Sequence, residues 1–168
     1  HIQTIVDDLL DPIQAKSVFD IIAELAFPLP VIVIAELIGV PAQDRDQFKE
    51  WTGALARSLD PVITPDISAA ADKATEAFID YFTRLVAERR VQPQQDLLSG
   101  LIAAEEEGDK LDEDELLATA ILLFGAGHET TMNLIGNGML ALLRNPDQLA
   151  KLQADPLLIE TAVEEFLR

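Results

Sequence analysis

Phe124-Gly125-Ala126-Gly127-His128-Glu129-Thr130-Thr131 sits in the middle of what otherwise reads as one long apolar helix. Helix design alone would avoid most of these choices. Glycine costs about 1 kcal/mol relative to alanine inside a helix, and threonine loses rotamer freedom there. A carboxylate taken into an apolar setting costs more again unless something pairs with it. Local rules broken inside a strong element mark a functional site.

The helix around this stretch has clear ends. Asp112 is its N-cap and Glu115 the reciprocal capping-box partner. Nothing stops it before Asn145-Pro146. The spacing predicts about thirty residues and roughly 45–50 Å at 1.5 Å per residue. That length suits the central strut of a larger domain.

Outward from the strut the chain reads as helix after helix. Residues 1–11 look like a helix tail ended by Asp11-Pro12, while Val18 to Leu25 suits a short strand or a helix. Pro28 and Pro30 set up a helix over Val31 to Ile38, with Gly39 as C′ residue and Pro41 as stop. Asp44 to Leu59 is amphipathic and carries the only tryptophan, Trp51. Thr64-Pro65-Asp66 opens a helix whose apolar face is Ile67, Ala71, Ala74, Phe78, Tyr81 or Phe82, and Leu85, with Arg89 and Arg90 as cations at its C-terminal end. Asp96 to Glu106 is shorter and ends at Gly108-Asp109, and Asn145-Pro146 and Asp155-Pro156 each cap a further helix. The fold class is therefore mainly α, multi-helix, in one domain over residues 1–168.

Composition narrows the function. The chain has 168 residues, 49% of them hydrophobic, which excludes a disordered composition. Net charge is −18, so the clustered cations that a nucleic-acid partner requires are missing. The best candidate for a membrane span, Phe27 to Val40, is too short and carries Pro28, Pro30 and Glu36. Cysteine is absent, which excludes a disulfide scaffold and any thiolate metal site within the chain. The start at His1 and the stop at Arg168, inside a helical pattern, are both expected to be cuts in a longer sequence.

Within the strut, Gly127 shares a face with Thr130 and Thr131, and Ala126 lies one turn before Thr130. Such a face lets a flat or bulky ligand approach the backbone. A threonine can bond back to the carbonyl one turn earlier and bend or widen the helix. Glu129 beside Thr130 places a titratable group next to a hydroxyl, the minimum for relaying a proton. Two other motifs fail. Gly125-x-Gly127 is followed by Thr130 where a dinucleotide loop needs glycine, and Met132 stands where a zinc-protease helix needs its second histidine. The alternative is structural, with glycines for close helix crossing and threonines satisfying carbonyls. Glu165 and Arg168, at i,i+3 in the last helix, form a second candidate pair, with Val163, Phe166 and Leu167 suggesting partial burial.

Taken together these residues resemble the cytochrome P450 family of heme-thiolate monooxygenases. Ala126 to Thr131 matches the family's oxygen-activation motif and Glu165-Phe166-Leu167-Arg168 its Glu-x-x-Arg. Arg144-Asn145-Pro146 between them, and Pro28-Leu29-Pro30 through Glu36-Leu37-Ile38-Gly39-Val40-Pro41, resemble the same regions of soluble bacterial members. The resemblance implies a partial P450 fold. It implies that Ala126 and Gly127 face a heme and leave room for dioxygen. Glu129 and Thr130 would deliver protons to the oxygen, Thr131 would support the helix distortion, and Glu165 and Arg168 would be structural.

The implied function is insertion of one oxygen atom from O2 into a small organic substrate, in a cytoplasmic protein fed electrons by a ferredoxin or reductase. The family's iron ligand is a cysteine thiolate well beyond Glu-x-x-Arg, and no residue here provides it. The chain therefore resembles the central portion of the fold. By itself it is expected to be inactive and to leave apolar surface uncovered. The runner-up readings are a non-catalytic all-α interaction domain and an inactive partial gene product.

Overall fold

A computed structural model describes residues 1–106 and 111–168. Among them there are eight α-helices and no strand. They are α1 (Ile2–Gln14), α2 (Pro28–Ile38), α3 (Arg45–Arg57), α4 (Pro65–Val91), α5 (Leu97–Glu106), α6 (Glu113–Arg144), α7 (Pro146–Ala154) and α8 (Ile159–Phe166). The expected stop at Gly108-Asp109 lies outside the described residues.

The strut is α6, 32 residues long, or about 48 Å. Its capping box forms as the sequence requires: Asp112 Oδ1 accepts from the Glu115 amide at 2.8 Å, and Glu115 Oε2 accepts from the Asp112 amide at 3.0 Å. α2, α3, α4 and α5 pack around its N-terminal half. The core between them is aromatic. Phe48 of α3 meets Phe124 of α6 at 4.4 Å between ring centroids and Phe78 of α4 at 5.4 Å. Phe48, Phe78, Phe82 and Phe124 are wholly buried, each contributing about 1.5–3 kcal/mol of transfer free energy. The face expected on α4 is the buried one, from Ala71 through Phe78 to Leu85. At the other end of α6, Phe166 of α8 packs on Gly138, where a Cβ would stand 3.0 Å from the ring.

Several boundaries differ from expectation. Pro12 does not end α1, which continues to Gln14. Proline removes one hydrogen bond near the C-terminus, but Ile13, two turns beyond Ile5 on the same face, is buried and keeps the last turn docked. Val18 to Leu25 holds no strand. Ile22–Ala26 is a π-helical turn, closed by a 2.9 Å bond from the Phe27 amide to the Ile22 carbonyl. Asp20 Oδ1 accepts from the amides of Ile22 and Ala23, so the turn is nucleated by an acid at its start. Asn145 does not cap α7 with its side chain. Its amide instead donates to the Ala141 carbonyl at 2.9 Å and closes α6. Asp155 does cap, accepting from the Leu157 amide.

Arg89, expected as a cation at the helix C-terminus, is 3% exposed. It donates to Asp96 at 2.8 Å and to the Gly39 carbonyl at 2.7 Å, tying α4 to α5 and to the end of α2. Gly39 has φ +93°, the left-handed C-cap that its position after Ile38 predicts.

Candidate functional site

The central stretch of α6 separates its residues by face. Leu116, Ala120, Phe124 and His128 recur at i,i+4 and are all buried against the core. Gly127 points toward α2, where a Cβ would touch Ile34 at 3.4 Å. Gly125, Ala126, Glu129 and Thr130 line the opposite side. Thus Gly127 packs against a neighbouring helix, whereas Ala126 and Thr130 are exposed together one turn apart and Thr131 is exposed beside them.

That side is one wall of a groove of about 810 Å³. Leu117, Ile121 and Leu122 of α6 extend it toward the N-terminus, Leu55 and Ala56 of α3 form the facing wall, and Thr75 and Ile79 come from α4. The groove is apolar along its length. Its carboxylates, Asp114 and Glu129, are 15 positions apart on α6, or about 22 Å along the axis.

Glu129 is half-buried, and no described residue pairs with its carboxylate. The full burial that its place in an apolar helix suggested does not occur, because the groove leaves its side open. Thr130 Oγ1 donates to the Ala126 carbonyl at 2.7 Å. The hydroxyl proton is committed to the helix, so the oxygen's lone pairs face the groove and can accept a hydrogen bond. α6 stays α-helical without a break from Glu113 to Arg144. The widening expected around Thr130 and Thr131 is absent, since a bond back to Ala126 satisfies the hydroxyl within the regular helix.

His128 is the residue that the sequence undervalued. It is 1% exposed, and neither ring nitrogen has a hydrogen-bond partner. Its ring meets Phe27 edge-on at 4.7 Å, and the Lys49 ammonium lies 4.7 Å from the Phe27 ring centre. Burial pushes its pKa down to about 4, so it is neutral at physiological pH. The i,i+4 spacing from Phe124 was the signal that places it in the core.

Glu165 and Arg168 do pair, at 3.1 Å, but at 69% and 81% exposure. The partial burial expected of them belongs to Phe166 instead, the residue of α8 that seats on α6. An exposed i,i+3 pair stabilises by a few tenths of a kcal/mol at most.

The donor set also bears on a metal or cofactor. Among the described residues no group of three or more His, Cys, Asp or Glu could hold a metal ion, and the chain has no cysteine. Iron ligation by thiolate is therefore outside this chain. What α6 does offer is the open Ala126–Thr130 face, small enough at Ala126 to lie against a planar group.

The cytochrome P450 family model matches residues 46–163. Cytochrome P450 107B1 of Saccharopolyspora erythraea is 49% identical over all 168 residues, which cover 40% of that protein. The vitamin D(3) 25-hydroxylase of Pseudonocardia autotrophica is 48% identical, with 100% of this chain and 40% of the relative covered. Among solved structures, P450BioI in complex with hexadec-9Z-enoic acid ligated acyl carrier protein superimposes with a TM-score of 0.93 at 44% identity, over 99% of this chain and 42% of that one. The long central helix and these matches define one helical scaffold. The chain belongs to the cytochrome P450 family. It spans about 40% of the length of the relatives it matches.

Proposed function

We propose that this chain is the oxygen-activating central portion, in a single domain, of a heme-dependent monooxygenase. The whole protein inserts one oxygen atom from O2 into a small organic substrate. It takes electrons from a ferredoxin or reductase and works in the cytoplasm. The observation that carries this reading is the meeting of an open acid–alcohol pair, Glu129 and Thr130, with one apolar groove. Such a groove keeps bulk water from a reacting centre while two polar groups manage protons.

Heme, when bound, supplies the redox chemistry on dioxygen. Ala126, Thr130 and Thr131 form the exposed face of α6 that would hold it, and the small Ala126 would leave room there. Gly127 faces α2, where a Cβ would be in ordinary contact with Ile34. Thr130 offers an acceptor oxygen to whatever donor enters the groove. Glu129, unpaired and half-open, takes a proton from solvent and gives it to the donor that Thr130 holds in the groove. The Glu165–Arg168 pair contributes to the framework.

The test uses the full-length, heme-loaded protein. Glu129→Gln is expected to lower product formed per reductant consumed by about tenfold or more, with substrate binding unchanged. Unchanged coupling in this variant defeats the relay role.

A further inference from the structure

The proposed chemistry leaves His128 unused. Its ring is 1% exposed, and neither nitrogen has a hydrogen-bond partner. A neutral imidazole carries one N–H donor and one acceptor nitrogen, and polar groups removed from water need partners. A second polar group lies at the same seam. Ala26 is 0% exposed, so its carbonyl is buried too. Phe27 is the N-cap of α2, and its carbonyl takes the Val31 amide as the first bond of that helix. The Ala26 carbonyl, one position earlier, falls to residue 30, which is proline and has no N–H. The π-helical turn does not serve it either, because its closing bond runs from the Phe27 amide to the Ile22 carbonyl.

The packing brings these groups to one place. Phe27, next after Ala26, meets the His128 ring edge-on at 4.7 Å. Ile22, at the start of the turn, lies against Gly136 of α6. Ala26 therefore sits between two points at which its segment touches α6. A buried donor–acceptor ring and a buried carbonyl, facing one seam and not bonded to each other, are what an enclosed water joins. The seat is formed by Ala26, Phe27 and Phe124, one turn before His128, and none of them could balance an ion, so the bridging group is uncharged. From these observations we infer that a single buried water ties the start of α2 to α6, hydrogen-bonded to a His128 ring nitrogen and donating to the Ala26 carbonyl. Such a bond also fixes which ring nitrogen carries the proton. It explains a histidine at a core position where leucine would fill the space. The tie lies on the core face of α6, behind Glu129 and Thr130, and needs neither heme nor the groove.

The test is a crystal structure of the full-length protein, at a resolution that shows ordered water, with two variants beside it. The wild type is expected to show one water about 2.7–3.2 Å from a His128 ring nitrogen and from the Ala26 carbonyl oxygen. His128→Leu removes one anchor, and Pro30→Ala gives the Ala26 carbonyl an amide of its own. Each variant is expected to lose the water, and the wild-type map decides by itself where a variant does not fold. A dry His128, a protein group bonded to its ring in place of water, or a water that persists in either variant overturns the inference.

Discussion

Arg89 and Asp96 form a buried ion pair, with Arg89 Nε 2.8 Å from Asp96 Oδ2 and the side chains 3% and 5% exposed. The same guanidinium donates to the Gly39 carbonyl at 2.7 Å, so three helices meet at one cation. Removing one partner leaves the other charge buried and alone, which costs about 3–5 kcal/mol. Arg89→Leu in the full-length protein is therefore expected to lower unfolding free energy by that order in urea titration. A change below about 1 kcal/mol, the range of an exposed pair, would show that the cluster does not hold α4, α5 and α2 together.

The clamp also has a pH signature. Burial alone would raise the Asp96 carboxyl, but hydrogen bonds from Ser99 and Arg89 outweigh it and hold the pKa below the ordinary 3.8. A depressed carboxylate contributes stability that is present above its unfolded value and lost as pH falls through the folded one. Stability is expected to decline below about pH 4 in the wild type, and less steeply in Asp96→Asn. Urea midpoints across pH 3–5 check this.

Gly39 carries the second constraint at the same corner. Its φ of +93° disfavours any side chain, and a Cβ would stand 2.0 Å from Asp96 Oδ2. Gly39→Ala combines backbone strain with displacement of the buried carboxylate. It is expected to destabilise by roughly 2–4 kcal/mol, read as a fall in urea midpoint at unchanged slope.

His128 gives the opposite titration window from an ordinary surface histidine. Its folded pKa is about 4, against 6.5 when unfolded. Above pH 6.5 both states are neutral and nothing is lost. As pH falls from 6.5 toward 4 the unfolded chain takes up the proton first, and stability drops by about 3 kcal/mol over the window. His128→Leu keeps an apolar side chain in the seat against Phe27 and is expected to flatten this slope between pH 6.5 and 4.5. An unchanged slope in the variant would assign the acid sensitivity to other groups.

Thr130 separates shape from chemistry. Thr130→Val keeps the branched side chain but loses the hydroxyl that bonds to Ala126 at 2.7 Å. Because that bond only satisfies a carbonyl already in the helix, stability is expected to change by less than about 1 kcal/mol. Coupling of reductant to product in the full-length protein should nevertheless fall about tenfold or more, and Thr130→Ser should restore most of it. Equal coupling in the valine and serine variants would remove the hydroxyl from the mechanism.

The helical architecture was legible wherever the determinants are local. The Asp112–Glu115 box, the Thr64-Pro65 start of α4, the Gly39 stop and the apolar face from Ala71 to Leu85 all act within a few residues of themselves, so their spacing predicts them. The candidate site is marked in the same local way. Ala126 to Thr131 breaks helix preference within one turn and a half, and the break is visible without any neighbour.

What the neighbours decide could not be read locally. Gly125 and Gly127 are the same residue two positions apart. Only the packing of α2 shows that Gly127 faces Ile34 while Gly125 faces the groove. Arg89 reads only as a helix-end cation until Asp96 and the Gly39 carbonyl converge on it. Glu129 reads as buried until α3 and α4 are seen to leave its side open. Sequence thus determined the elements and the chemistry they carry, because backbone preference and side-chain identity are properties of short segments. Which face meets core, partner helix or groove depended on long-range burial, and that is a property of the assembled helices alone.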